Sequence, residues 1–259
     1  MASIKIGPVS LNVSVQGDAD APPLILAHPL GARLEVWNAL APALAQKFRL
    51  IRFDARGHGA SSVPAGPYTL ADLGGDVVAL MDGLEVTRAH FLGLSMGGVI
   101  GQWLMIFAPD RLNKVVLANT AAHFPDPAGW NARIRAVRAT GMAALAPAIV
   151  TRWLSDDFRV ARPEAADQIE DMLRESDTRG YAACCAAMRD ADLRDAIRSA
   201  PPRPALVIVG NADASAPPER GAALAASLPD ARLVTLKAAH LSCVEAETAF
   251  LSAVMAFLG

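Results

Sequence analysis

The sequence has few cysteines, few aromatic residues and no long apolar run. Only three cysteines occur in 259 residues, and two of them, Cys184 and Cys185, are neighbours. This excludes a disulfide framework and favours a reducing compartment. No apolar stretch approaches the roughly 18–20 residues that a membrane-spanning helix needs. The basic and apolar regions of a secretory signal are also missing after Met1, so we expect a cytoplasmic protein.

Charge is scarce and nearly balanced. Charged residues make up 19% of the chain, and the formal net charge is −2. Nothing in this distribution favours nucleic acid as a partner. No His, Cys and Asp residues have zinc-site spacing, and no phosphate-loop motif occurs, so we predict neither a metal nor another cofactor. The hydrophobic content of 53% predicts a full globular core.

Strand-like and helix-like segments alternate along most of the chain. Mainly apolar segments such as 24–27, 114–118 and 205–209 predict buried parallel strands. Segments with apolar residues at helical spacing lie between such runs, and Thr69 is the predicted cap of one of them. Alternation with period two on both sides of Gly7-Pro8 predicts an edge hairpin. The pattern indicates an α/β fold in which helices cover both faces of a parallel sheet.

This alternation stops between about residues 121 and 200. Strand-like runs vanish there, and successive helices are predicted at 128–139, 141–154, 163–175, 178–188 and 192–198. We therefore predict that residues 1–120 and 201–259 form the α/β core. Residues 121–200 are predicted to form a helical cap, or lid, inserted over the sheet.

The stretch Gly93-Leu94-Ser95-Met96-Gly97-Gly98 has the pattern of a nucleophile elbow. It follows a predicted buried strand that begins at Ala89 and precedes a predicted helix that ends at Phe107. Strand, G-x-S-x-G turn and helix together place the serine in a tight, exposed turn. An ordinary turn serine is the alternative, but this structural context favours Ser95 as a nucleophile.

A serine nucleophile needs a base, and the base needs an orienting acid. Of the five histidines, only His240 follows a late strand through a short loop, at the sheet edge where Ser95 emerges. Asp213 leaves the strand at 205–209 at the same edge, which gives the order Ser, Asp, His along the chain. A loop histidine and a turn aspartate remain the structural alternatives. Asp126, one strand after the elbow, is the alternative acid.

Two backbone amides are predicted to stabilise the oxyanion. One is the N–H of Met96, at the start of the helix after the elbow. The other comes from the loop after the strand at 24–27, where we select the N–H of Leu30. Residue 29 of this loop is a proline and has no N–H, but the required amide belongs to the next residue.

Three motifs resemble the α/β-hydrolase superfamily. They are Asp54-x-Arg56-Gly57-His58-Gly59-x-Ser61, Gly93-Leu94-Ser95-Met96-Gly97-Gly98, and Gly210-x-x-Asp213 followed by His240. The resemblance covers essentially the whole chain. It implies an α/β-hydrolase fold with a mostly parallel, eight-stranded sheet flanked by helices and a helical cap insertion.

The insertion resembles one family more specifically, the 3-oxoadipate enol-lactonases. The matching segments are Gly129-Trp130-Asn131-x-Arg133-Ile134, Arg152-Trp153 and Tyr181-x-x-Cys184-Cys185-x-Ala187-x-Arg189-Asp190-x-Asp192. The resemblance implies a cytoplasmic enzyme of the β-ketoadipate pathway that opens a small carboxylated enol lactone during the catabolism of aromatic compounds. It also implies that Trp153 contacts the substrate.

Helical geometry adds a physical argument for two further substrate-binding residues. Trp130 and Arg133 fall on one stripe of a predicted helix, whereas Arg135 and Arg138 point elsewhere. An arginine on the apolar face of a lid can bind a substrate carboxylate. A structural salt bridge, or an aliphatic stem that reaches solvent, explains Arg133 equally well, and plain lid packing explains Trp130.

Three functions compete on these residues. The first is a serine lactonase for a small carboxylated enol lactone, acting as a monomer or a homodimer. The second is a general carboxylesterase or perhydrolase with the same triad. The third is a ligand-binding relative without catalysis. If Arg133 does not bind the substrate carboxylate, Arg152 and Arg189 are the next candidates.

Overall fold

Short apolar segments build one central sheet. In the structure, a computed structural model that describes residues 1–259, the strands are β1 Ala2–Ile6, β2 Val9–Gln16, β3 Pro23–Ala27, β4 Arg49–Phe53, β5 Ala89–Leu94, β6 Leu112–Ala118, β7 Ala205–Gly210 and β8 Ala231–Leu236. Their order across the sheet is β1-β2-β4-β3-β5-β6-β7-β8. Strand β2 pairs antiparallel with β1 and β4, and the other neighbours are parallel. The predicted mostly parallel, eight-stranded sheet is confirmed.

Both faces of the sheet are covered at its centre. Every residue of β5 and of β7 is buried, as expected for parallel strands between two helical layers. The helices are α1 Ala41–Leu44, α2 Leu70–Gly83, α3 Met96–Phe107, α4 Pro127–Thr140, α5 Met142–Trp153, α6 Asp156–Ala161, α7 Pro163–Arg174, α8 Thr178–Asp190, α9 Arg194–Arg198, α10 Pro218–Ser227, α11 Ser242–Glu245 and α12 Glu247–Leu258. None of them is long and apolar enough to cross a membrane.

Local chemistry sets several helix boundaries. Thr69 caps α2 in a reciprocal capping box with Asp72: the Thr69 Oγ1 accepts from Asp72 N–H, and the Asp72 carboxylate accepts from Thr69 N–H. Apolar residues at helical spacing, Trp37, Leu40 and Leu44, predict one continuous helix after β3, but the structure has a 3₁₀ turn, Leu34–Trp37, followed by α1. Pro42 explains this break, because a proline in a helix interior lacks the N–H that the helix requires.

Helices α4 to α9 all lie between β6 and β7, within the stretch 121–200. An isolated bridge between His123 and Asp192 joins the two ends of this stretch. Helix α8 lies directly on the core, because a Cβ atom on Gly180 would come within 2.1 Å of the Gly57 carbonyl oxygen. The end of α5 contacts the loop between β8 and α11, where Leu241 N–H donates to Trp153 O at 3.0 Å. These contacts hold the inserted helices over the carboxyl edge of the sheet.

Candidate active site

Ser95 occupies a strained turn between β5 and α3. Its φ is 55° and its ψ is −113°, a conformation that non-glycine residues rarely adopt. Surrounding bonds hold it there: Ser95 N–H donates to Ala118 O at 2.9 Å, and Thr120 Oγ1 donates to Ser95 O at 2.8 Å. The turn is also tightly packed, since a Cβ atom on Gly97 would lie 2.1 Å from Ala27 O. This is the geometry of a nucleophile elbow.

Two backbone amides at this edge have no acceptor within the protein. Neither Leu30 N–H nor Met96 N–H donates to a protein atom. Leu30 lines the cavity of Ser95, and Met96 is the first residue of α3, where helix geometry leaves the N–H unpaired. The two amides that sequence analysis selected are therefore free to bind an oxyanion.

Two buried histidines hold the loop that carries Leu30. Ala55 N–H donates to His28 Nε2 at 2.9 Å, so Nδ1 of that ring carries the proton and donates to Pro29 O at 2.8 Å. Gly31 N–H donates to His58 Nε2 at 2.9 Å. Burial lowers the pKa of His28, and burial together with His28 lowers the pKa of His58 to about 3. Both rings stay neutral near pH 7 and fix the peptide planes on either side of Leu30.

His240 and Asp213 form a buried pair. His240 Nδ1–H donates to Asp213 Oδ2 at 2.8 Å, and the second carboxylate oxygen accepts from Ser215 N–H and Ala216 N–H, each at 2.8 Å. Burial alone would raise the pKa of Asp213. His240 and the N–H donors outweigh burial and hold this pKa below its ordinary value. The carboxylate therefore remains ionised and can orient the imidazole.

The alternative acid has a different role. Asp126 caps α4, where its carboxylate accepts from Gly129 N–H at 2.8 Å, and it makes no bond to His240. Ser95 Oγ forms no hydrogen bond to another protein atom, but Ser95 and His240 line the same cavity. The hydrogen bond between a nucleophile and its base often tightens only when substrate is bound.

A cavity of about 320 Å³ opens over the elbow. Six of the predicted site residues line it: Leu30, Ser95, Trp130, Arg133, Trp153 and His240. Met96 and Asp213 are buried behind this surface. The Trp153 ring lies 5.9 Å from the His240 ring, between their centroids, so α5 covers the imidazole directly. Tyr181 from α8, which sequence analysis did not select, also lines the cavity.

Arginines give this cavity its charge. The guanidinium carbon of Arg133 lies over the Trp130 ring, 5.1 Å from its centroid. Arg152, on α5, lines the same cavity. Neither arginine forms a salt bridge. Partial burial and the charge of Arg133 both lower the pKa of Arg152. Arg189, in contrast, binds Asp190 at 2.7 Å and Asn131 at 2.8 Å and does not line the cavity.

Asn119, which follows β6, is a further residue of this site that no sequence motif predicted. Its side-chain amide donates to Asp213 Oδ2 at 3.0 Å. A polar residue at the carboxyl end of β6 was a signal for this position, because β6 lies between the strand of Ser95 and the strand of Asp213.

The fold and the elbow define the class. An eight-stranded, mostly parallel sheet with a strand–serine–helix elbow is that of an α/β-hydrolase. A family model described as "alpha/beta hydrolase fold" matches residues 22–247. The chain is 40% identical to "3-oxoadipate enol-lactonase 2" of Acinetobacter baylyi, over 96% of this chain and 93% of the relative. It is 34% identical to "3-oxoadipate enol-lactonase 1" of the same organism, with the same coverage.

A solved structure agrees with these relatives. The crystal structure of the enol-lactonase from Burkholderia xenovorans LB400 matches with a TM-score of 0.97 and 40% identity, covering 99% of each chain. This chain belongs to the alpha/beta hydrolase fold family and, within it, to the group of the 3-oxoadipate enol-lactonases.

Proposed function

We propose that this protein is a serine hydrolase that opens 3-oxoadipate enol-lactone, a small lactone with a carboxymethyl group, to give 3-oxoadipate. One observation supports this substrate class most strongly. Arg133 and Arg152 face the cavity of Ser95 and His240 without a carboxylate partner. Two like charges held close together need an anion to balance them, and the substrate carboxylate supplies it.

The triad carries out the chemistry in two stages. His240 takes the proton of Ser95 Oγ as this oxygen attacks the lactone carbonyl, and Asp213 stabilises the resulting imidazolium. The N–H groups of Leu30 and Met96 bind the oxyanion of the tetrahedral intermediate. Collapse breaks the ring C–O bond and releases an enolate, which takes the proton held by His240 and becomes the ketone. Neutral His240 then deprotonates the water molecule that attacks the Ser95 ester, and it returns this proton to Ser95 Oγ as the acid leaves.

Ring opening explains why Arg133 and Arg152 are both useful. The substrate enters with one carboxylate, and the expelled enolate adds a second negative charge while the acyl group is still attached. Arg133 is half-buried against Trp130, a position that suits binding of the carboxylate with which the substrate enters. Arg152 keeps contact with solvent. A cavity with only one acidic lining residue, Asp126, favours both negative charges.

The inserted helices, residues 121–200, act in this proposal as the lid that supplies substrate contacts. Trp130, Arg133 and Trp153 all come from this stretch and line the cavity. The three cysteines are free and buried, which fits a protein that works in the cytoplasm.

Two lactones that differ in one group test the proposal. The first is the carboxymethyl enol lactone, and the second is the same ring with methyl in place of carboxymethyl. We expect kcat/KM to be at least roughly 100-fold higher for the carboxylated lactone, as for a charge-assisted contact in a covered site. Equal values for the two would contradict the assignment and favour a general esterase. An absence of turnover of both lactones and of a nitrophenyl ester would favour a ligand-binding protein.

A further inference from the structure

Asn119 is buried where β6 ends, beside the acid–base pair. Its side chain is not exposed, and its φ is 47°, a left-handed conformation that asparagine tolerates better than most residues. The backbone N–H of Asn119 donates to Ile208 O at 2.8 Å. This bond ties the end of β6 to β7, the strand that leads to Asp213.

The amide of Asn119 uses both of its polar atoms. Nδ2 donates to Asp213 Oδ2 at 3.0 Å and to Ala239 O at 3.2 Å, while Oδ1 accepts from Ser242 Oγ at 2.5 Å. A carboxylate and a carbonyl can only accept hydrogen bonds. They therefore fix which end of the amide faces them, and the Ser242 hydroxyl completes the arrangement.

These contacts reach both members of the pair. Asp213 Oδ2 is the oxygen that accepts from His240 Nδ1, at 2.8 Å, and Ala239 O belongs to the peptide bond that leads into His240. We infer that Asn119 is a positioning residue of the acid–base pair, which disperses the charge on Asp213 Oδ2 and holds the His240 loop at the cavity of Ser95. This inference rests on the proposed serine mechanism, but not on the identity of the lactone.

The charge effect has a definite sign. Asp213 Oδ2 accepts two hydrogen bonds, one from His240 and one from Asn119. When the Asn119 donor is removed, more of the negative charge on this oxygen acts on the imidazole, and protonated His240 is stabilised. Because only neutral imidazole can take the Ser95 proton, activity should then begin to rise at a higher pH.

Other ionisable groups surround the pair and are retained in the test variants. Arg152 lies close enough for its charge to act on Asp213. Glu245 accepts from Ala239 N–H at 3.0 Å. Cys243 is buried on α11, and burial raises the pKa of its thiol to about 12, so it stays neutral near pH 7.

The first experiment measures kcat/KM against pH with a neutral nitrophenyl ester. Asn119→Gly removes the amide and tolerates the left-handed backbone. We expect the acid limb of its profile to move to higher pH by about 0.5–1 unit, and the plateau to fall roughly 3- to 30-fold. Ser242→Ala frees the amide without removing it, so its limb should move in the same direction by a smaller amount. An unmoved limb in both variants would overturn the proposal, whatever happens to the plateau.

A matched control is available in the same chain. Asn12 Nδ2 donates to Asp54 Oδ2 at 2.8 Å, the same kind of bond at a site that does not contact His240. Asn12→Gly should leave the acid limb in its wild-type position. A shift as large as that of Asn119→Gly would overturn the proposal, because it would show that loss of an amide-to-carboxylate bond far from His240 also moves the profile.

A second readout does not require turnover. The proton on His240 Nδ1 can be followed by proton NMR, and its chemical shift reports the strength of its bond to Asp213. We expect Asn119→Gly to shift this signal and Asn12→Gly to leave it in place. An unchanged signal in Asn119→Gly would overturn the role of Asn119. Absence of turnover of both lactones and of the ester by the wild-type protein would instead contradict the proposed function, and the NMR comparison would still decide the role of Asn119.

Discussion

Replacement of Arg133 by methionine tests whether this side chain binds the substrate carboxylate. Methionine keeps much of the side-chain volume over the Trp130 ring, which lies 5.1 Å from the guanidinium carbon, and removes only the charge and its donors. A bidentate, charge-assisted contact in a half-buried site contributes about 2–3 kcal/mol. At about 1.4 kcal/mol for each tenfold change, we expect kcat/KM for the carboxymethyl lactone to fall roughly 30- to 150-fold.

The methyl-substituted lactone and a control variant make this assay specific. Arg133→Met should change turnover of the uncharged lactone by less than roughly threefold, since that substrate has no carboxylate to lose. Arg135 is exposed on the same helix, and Arg135→Met should leave both substrates unaffected. Equal losses on the two lactones with Arg133→Met would refute the reasoning and show that Arg133 supports the lid. No loss on either would move the carboxylate to Arg152.

Three further outcomes are expected. Ser95→Ala should abolish lactone and ester turnover in a protein whose circular dichroism spectrum and thermal unfolding match the wild type; residual activity within a few-fold would exclude the serine mechanism. Asp213→Asn should reduce kcat by roughly 10⁴-fold, because the imidazole adopts the wrong tautomer; near-normal kinetics would show that Asp213 is not the acid. Burial and His28 hold the pKa of His58 at about 3, so between about pH 6.5 and pH 3 the unfolded chain binds a proton that the folded protein does not. The free energy of unfolding should therefore fall on acidification, by at most about 1.4 kcal/mol per pH unit from this group. His58→Gln should make the free energy of unfolding, measured in urea, less dependent on pH. The same pH dependence in wild type and variant would contradict a buried neutral His58.

Local patterns predicted the elements that build the elbow. The strand before Ser95, the glycines around it and the helix after it are all signalled within about 20 residues, because packing of a buried strand and a tight turn is decided locally. The helix α6 was missed, since six residues capped by Ser155 carry too little amphipathic pattern to distinguish them from a loop.

Contacts between distant segments could not be predicted in the same way. Asn119 and Ala239 are 120 residues apart in sequence, and no spacing rule connects the end of β6 to the loop before His240. The choice between Arg133, Arg152 and Arg189 also depended on tertiary structure. Arg189 shares its segment with the other family-like residues, but its binding to Asp190 and Asn131 becomes visible only when α4 and α8 are packed.

Mass spectrometry of the acyl-enzyme tests the central claim most directly. In a lactone the leaving oxygen stays attached to the acyl group, so attack by Ser95 adds the entire mass of the substrate to the protein. After rapid acid quench of a reaction with the carboxymethyl enol lactone, we predict this added mass on the peptide that contains Ser95, and its absence in Ser95→Ala. Product formation without any adduct on that peptide, or an adduct on another residue, would contradict the account.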